Sequence, residues 1–118
     1  IEAALTDLTL VSQAVVIGDR RKFLSALVTL DPEAVEAFRE KEGFEGDAHE
    51  ADAVRAEIQR GIDERVNPRF AQVEHVRKFT ILPRELSIDA GELTPTLKIK
   101  RRIVNEQWAD TIDAIYAD

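Results

Sequence analysis

Apolar residues at Ile1, Ala4, Leu5 and Leu8 recur at spacings of three and four, which predicts an amphipathic helix over residues 1 to 8. Val11 to Ile17 is a short apolar run ending in β-branched Val15, Val16 and Ile17, bounded by Gly18-Asp19, and reads as a strand. From Phe23 to Leu30 the pattern alternates, with Leu24, Ala26, Val28 and Leu30 on one side. The polar connector Gly18 to Lys22 is short enough for an antiparallel hairpin. Asp31-Pro32 then opens a helix, with the Asp side chain capping an early N–H and Pro at the first helical position. Val35 and Phe38 give that helix its stripe and Gly43 stops it. A second helix from about Ala48 to Val66 carries Ala51, Val54, Ile58 and Ile62 on one face, and Asn67-Pro68 ends it. Val76 to Leu82 sets Thr80 and Leu82 against Phe79 and Ile81, and Pro83 closes this third strand. Leu86 to Leu93 contains Asp89-Ala90-Gly91, read as a small hairpin. A last helix from about Lys100 to Ala117 is lined by Ile103, Val104, Trp108, Ile112, Ile115 and Tyr116. The expected fold is a small α+β domain over 1–118: about three main strands, four to five helices and a small hairpin.

Composition narrows what such a domain does. With 118 residues it has room for one domain, and 16 basic against 23 acidic residues give a net charge of −7. That balance argues against binding nucleic acid, though not against a local basic site. Residues 31 to 65 hold 12 acids and 5 bases, so the excess sits on the middle helices, while the rest of the chain is balanced. The absence of cysteine removes disulfides, thiolate zinc sites and a cysteine nucleophile. No run approaches 18 apolar residues and no signal-peptide pattern opens the chain, so the expected location is cytoplasmic. Methionine is absent and the first helix begins in mid-pattern without a cap, which predicts an excerpt of a longer protein. Arginine outnumbers lysine 11 to 5, a bias expected of a GC-rich bacterial genome.

Most candidate chemistry is weak. His49 and His75 are far apart in sequence and lack carboxylates at ligand spacing, so no metal is expected. Ser12, Ser25 and Ser87 have no G-x-S-x-G setting. Asp63-Glu64 reads as part of a solvated helical face, and no P-loop or G-x-G-x-x-G occurs. The exception is the segment from Gly91 to Arg102, GELTPTLKIKRR. Pro95 pushes Thr94 toward extended backbone, so the segment opens as a turn and presents Lys98 just before a helix. Two readings stand from the chemistry alone. Lys98 delivers a positive point charge to a partner's anionic site, or the bases are a cap on a solvated turn.

Thr94-Pro95-Thr96-Leu97-Lys98-Ile99-Lys100-Arg101-Arg102 resembles, without a gap, the last signature motif of adenylate-forming enzymes, roughly T-x-S-G-K-I-x-R-R. Thr96-Leu97 stands where Ser-Gly is common, a departure similar to the long-chain fatty acyl-CoA synthetase branch. Ile1 to Leu5 is similar to the helix after the family's hinge, Val11 to Gly18 to its V-x-x-A-V-V-I-G strand, Phe23 to Leu30 to the strand that follows, and Phe79 to Glu85 to the segment before the lysine loop. The resemblance implies the mobile C-terminal domain of a fatty acid–CoA ligase, with the hinge and the large N-terminal domain outside the chain. It implies Lys98 as the catalytic lysine, Gly91, Glu92, Thr94, Pro95 and Thr96 as loop-shaping residues, and Lys100, Arg101 and Arg102 as candidate contacts to CoA or to the other domain. ATP, CoA and Mg2+ would serve the full-length enzyme and bind mainly outside this chain, and the isolated domain would be essentially inactive. Implied partners are the N-terminal adenylation domain in cis and the substrates fatty acid, ATP and CoA, with peripheral membrane contact open to the parent.

Two alternatives belong beside this reading: a non-catalytic module that docks through its basic loop, and the C-terminal domain of a fatty acyl-AMP ligase that passes its product to a carrier protein. An exposed lysine on such a loop is also a candidate for acetylation, which would abolish its charge.

Overall fold

The computed structural model describes residues 1–18 and 21–117. Its centre is a three-stranded sheet of order β1-β2-β3, formed by β1 (Val11–Ile17), β2 (Leu24–Leu30) and β3 (Val76–Ile81). β1 and β2 pair antiparallel, from Val11 opposite Leu30 to Ile17 opposite Ser25. They therefore form the expected hairpin; Asp19 and Arg20 of its connector lie outside the described residues. β3 joins β2 in parallel, which requires the long crossover through the middle helices. Both faces of β2 are covered, so Ser25 and Thr29 are as buried as Ala26, Leu27 and Val28. Their hydroxyls need partners in that setting. Ser25 Oγ lies 2.9 Å from the Tyr116 hydroxyl, and Thr29 Oγ1 donates to Gln13 Oε1 at 2.9 Å.

Five α-helices occur among the described residues: α1 (Glu2–Thr6), α2 (Pro32–Glu42), α3 (Asp52–Gly61), α4 (Arg101–Gln107) and α5 (Ala109–Tyr116). One face of the sheet packs Leu5, Leu8, Val35, Val54, Ile58, Ile62 and Val66 against Ala26, Val28 and Phe79. The other packs Val104, Ile112 and Ile115 with Leu82, Leu86 and Leu93 against Val15, Ile17 and Leu27. This is the α+β arrangement expected from the pattern of strands and helices. α2 starts as the sequence predicts: Asp31 Oδ1 accepts from the N–H of Glu33 and of Ala34, and Gly43 ends the helix at φ 73°.

Three boundaries differ from expectation. The helix expected over 48 to 66 is a 3₁₀ turn (Ala48–Glu50), a break at extended Ala51, α3, and a π-helical turn (Ile62–Val66) that keeps Ile62 and Val66 buried. The last helix is interrupted at Trp108, whose φ of −107° and ψ of 21° leave helical geometry and separate α4 from α5. The small hairpin falls one motif later than Asp89-Ala90-Gly91. Residues 87 to 91 form a closed turn in which Ser87 Oγ accepts from the Ala90 N–H and the Gly91 N–H donates to the Ile88 carbonyl. The paired legs are at Leu93 and Ile99, one antiparallel bridge around the lysine loop.

Candidate functional site

The lysine loop is a clamped hairpin. Thr94 N–H donates to the Lys98 carbonyl at 2.8 Å, Lys98 N–H to Thr94 Oγ1 at 3.0 Å, Leu97 N–H to the Thr94 carbonyl at 2.8 Å, and Lys100 N–H to the Glu92 carbonyl at 2.8 Å. Thr96 Oγ1 lies 3.1 Å from Thr94 Oγ1, so both threonine hydroxyls face one another at the turn. Pro95 occupies the tip, where its missing N–H leaves nothing unsatisfied. Leu97 takes φ of 67°, a left-handed conformation that costs a non-glycine residue about 1–2 kcal/mol. It stands where the motif this segment resembles commonly has glycine, the residue that adopts this conformation without strain.

The hairpin is anchored at its base by Glu92, whose side chain is fully buried. Arg84 grips that carboxylate with two prongs, Nη1 to Oε1 at 2.7 Å and Nη2 to Oε2 at 3.0 Å. The Trp108 indole donates to Oε2 at 2.8 Å and the Ser87 N–H to Oε1 at 3.1 Å. Arg84 also lies over the Trp108 ring, 5.1 Å from its centroid. Burial pushes the Glu92 carboxyl up, but the hydrogen bonds from Arg84, Trp108 and Ser87 and the Arg84 charge outweigh it and hold the group below its ordinary value. The same pairing raises Arg84. The break at Trp108 is thus where α4 ends and the indole N–H meets an acceptor. Gln107, just before it, donates to the Ala90 carbonyl at 2.7 Å and ties down the neighbouring turn at Gly91, where φ is 78°.

Lys98 and Lys100 are exposed, and among the described residues neither has a carboxylate within ion-pair distance. Arg101 differs. It forms a two-pronged pair with Glu2 of α1, and Glu2 Oε2 also accepts from the Val16 N–H at 2.8 Å. Burial pushes the Glu2 carboxyl up, and Arg101 with the Val16 N–H brings it below its ordinary value. Arg102 sits 3.9 Å from Glu106 on the exposed side of α4. Positive charge in a first helical turn is unfavourable by some tenths of a kcal/mol, and Glu2 offsets that for Arg101. An open groove of about 620 Å³ runs beside the loop, lined in part by Gln13, Leu86, Ile88, Leu93 and Leu97.

Elsewhere one sequence expectation needs correcting. His49 does have carboxylates nearby: the ligand atoms of Asp47, His49 and Glu50 lie within 4.8 Å of one another, because a 3₁₀ turn brings residues three apart together. Both acids are exposed, with His49 Nε2 3.7 Å from Glu50 Oε1, and the turn lies between α2 and α3, not at the lysine loop. His75 Nε2 lies 3.1 Å from the Phe70 carbonyl. Asp63 and Glu64 are exposed and bond to Gln59 and Arg60. Arg84, Trp108 and Glu2 went unassigned from the sequence. The signals were a lone tryptophan on an apolar face, whose N–H needs an acceptor, and a glutamate set between Gly91 and Leu93 at the foot of a turn.

The likeness of this domain to known proteins is specific. The whole chain, residues 1–118, matches the family described as the AMP-binding enzyme C-terminal domain, and the chain belongs to that family. Among curated relatives it is 42% identical over 112 residues to the long-chain-fatty-acid–CoA ligase FadD15 of Mycobacterium tuberculosis, a match covering 91% of this chain and 18% of that protein. It is 38% identical over 138 residues to the mouse long-chain-fatty-acid–CoA ligase ACSBG1, covering 99% and 19%. The chain thus spans about a fifth of the length of these relatives. Among solved structures it superposes on the adenylation domain of a carboxylate reductase from Mycobacterium chelonae with a TM-score of 0.78 at 28% identity, over 99% of this chain and 17% of that one. The A-PCP didomain of a carboxylic acid reductase from Segniliparus rugosus gives 0.76 at 26%, over 98% and 15%.

Proposed function

We propose that this chain is the C-terminal domain of a long-chain fatty acid–CoA ligase, with Lys98 as its catalytic lysine and an N-terminal adenylation domain in cis. One observation carries the assignment. Lys98 is an exposed cation with no carboxylate partner among the described residues, set on a hairpin whose every leg is hydrogen-bonded. A basic cap on a solvated turn needs no such clamp.

In the first half-reaction the fatty acid carboxylate attacks the α-phosphate of ATP, forming acyl-adenylate and releasing pyrophosphate. Two anions approach one another and charge builds on the leaving oxygens. The Lys98 ammonium, brought to those oxygens with its loop already ordered, offsets the repulsion without reorganising at the moment of reaction. Loss of one such preorganised donor costs about 3–4 kcal/mol, roughly 10² to 10³ in rate. The loop offers phosphate oxygens two unpaired ammonium groups, Lys98 and Lys100. It offers no free carboxylate to Mg2+, because both Glu92 oxygens are engaged. In the full-length enzyme Mg2+ would be held by ligands outside this segment. In the second half-reaction the CoA thiol displaces AMP after the domain rotates. Lys100 and Arg102 are the candidates to meet CoA phosphates or the N-terminal domain, whereas Arg101 is engaged by Glu2.

The full-length protein is expected to convert fatty acid, ATP and CoA to acyl-CoA, AMP and pyrophosphate. The 118-residue chain alone is expected to be essentially inactive; appreciable acyl-CoA synthesis by it would refute the assignment. A second reading draws on the carboxylate-reductase neighbours: the acyl-adenylate passes to a carrier-protein thiol. Acceptor assays on the full-length enzyme with CoA and with a phosphopantetheinylated carrier decide between them, and CoA is the expected acceptor given the curated relatives.

A further inference from the structure

The Arg84–Glu92–Trp108 cluster does more than close a polar gap in the core. Glu92 is the residue from which the hairpin departs. Its carbonyl accepts from Lys100, its neighbour Leu93 bridges Ile99, and its own N–H is fixed by the Ser87 carbonyl at 3.1 Å. The carboxylate is gripped by three groups on two separate segments: Arg84 and the Ser87 N–H on the connector after β3, and Trp108 between α4 and α5. Both strands of the loop are thereby referenced to the sheet and to α4. We propose that Arg84 and Trp108 are positioning residues for Lys98: their grip on Glu92 fixes the direction in which the hairpin presents the ammonium. The proposal rests on the reading of Lys98 as the catalytic lysine.

Arg84 suits this task because its guanidinium is planar. It orients both carboxylate oxygens at once and stacks on the indole, so Glu92 cannot rotate without losing several contacts together. A lysine at 84 would keep the charge and lose the orientation. Trp108→Phe would keep the ring and remove a single donor.

The test measures both half-reactions in the full-length ligase for Arg84→Gln, Arg84→Lys, Trp108→Phe and Lys98→Ala. The first readout is fatty-acid-dependent pyrophosphate exchange, and the second is CoA capture of supplied acyl-adenylate. Arg84→Gln is expected to lower the exchange kcat at least tenfold, with KM for ATP and fatty acid and the capture rate each within about twofold of wild type. Arg84→Lys is expected to recover only part of the loss, and Trp108→Phe to move the same way by a smaller factor. Equal loss in both half-reactions for Arg84→Gln and Trp108→Phe would mean the cluster serves general stability, and would overturn the proposal. So would wild-type exchange in Arg84→Gln while Lys98→Ala collapses it. If Lys98→Ala itself leaves exchange intact, the catalytic reading falls first. The Trp108 contribution to the emission of the full-length ligase, isolated as the difference from Trp108→Phe, supplies a readout free of catalysis. It is expected to shift in Arg84→Gln and stay unchanged in Lys98→Ala; an unshifted Arg84→Gln spectrum would contradict the clamp.

Discussion

Leu97 sits at φ 67° beside Lys98 at the turn of the loop. Glycine there escapes the left-handed penalty of about 1–2 kcal/mol but gives up roughly 0.5–1 kcal/mol in backbone entropy. Leu97→Gly is therefore expected to stabilise the chain by about 0.5 kcal/mol, and β-branched Leu97→Val to destabilise it by about 1 kcal/mol, read from urea midpoints. Glu92 makes a prediction of a different kind. Its carboxyl lies below the ordinary value in the folded chain, as does that of Glu2. Their stabilisation is thus present above the unfolded carboxylate pKa of about 4.3 and is lost as pH falls through the lower folded values. Stability should decline on acidification below about pH 4 to 5, and Glu92→Gln should flatten that decline; an unchanged pH dependence would count against the clamp. At this scale the sequence showed which residues were unusual but not their partners. Lys98, Glu92 and the threonines stood out in one contiguous motif, whereas Arg84 and Trp108 meet Glu92 across 8 and 16 residues of sequence.

Elements with strong local signals formed where the periodicity put them. β1, β2 and α2 match within a residue because Asp31, Pro32 and Gly43 act locally and the strands have unbroken apolar patterns. The middle and last helices were read as continuous because apolar spacing does not register a local change of pitch. The π turn at Ile62–Val66 and the break at Trp108 are tertiary effects: one keeps two buried side chains facing α1, the other takes the indole to Glu92. Glu2 acts between elements too. It caps an N–H on the outer edge of β1 and reaches around that edge to Arg101 on the opposite layer. Arg101→Ala is expected to cost about 1 kcal/mol, because the guanidinium is half-exposed and the pair is solvent-screened. Arg102→Ala should change little. Thermal denaturation of the two variants side by side checks this, and equal losses would mean Glu2 is not an anchor.

As a whole the molecule is two apolar layers on one small sheet, with its excess negative charge on the middle helices and two unpaired lysines, Lys98 and Lys100, on the lysine loop. No helix among the described residues is long and apolar enough to cross a membrane. The net charge of −7 predicts no electrophoretic shift of DNA or RNA at physiological salt. The family was legible in the sequence because a gapless motif and four flanking segments lie in the right order; the two-layer support of the loop was not, since it depends on contacts between distant segments.

The central claim is that Lys98 acts in adenylate formation. Its most direct test is Lys98→Ala against wild type in the full-length enzyme, with the two half-reactions measured separately. The account predicts a loss of roughly 10² to 10³ in fatty-acid-dependent pyrophosphate exchange, with CoA capture of supplied acyl-adenylate intact. Equal loss in both steps, or no loss in either, would contradict it.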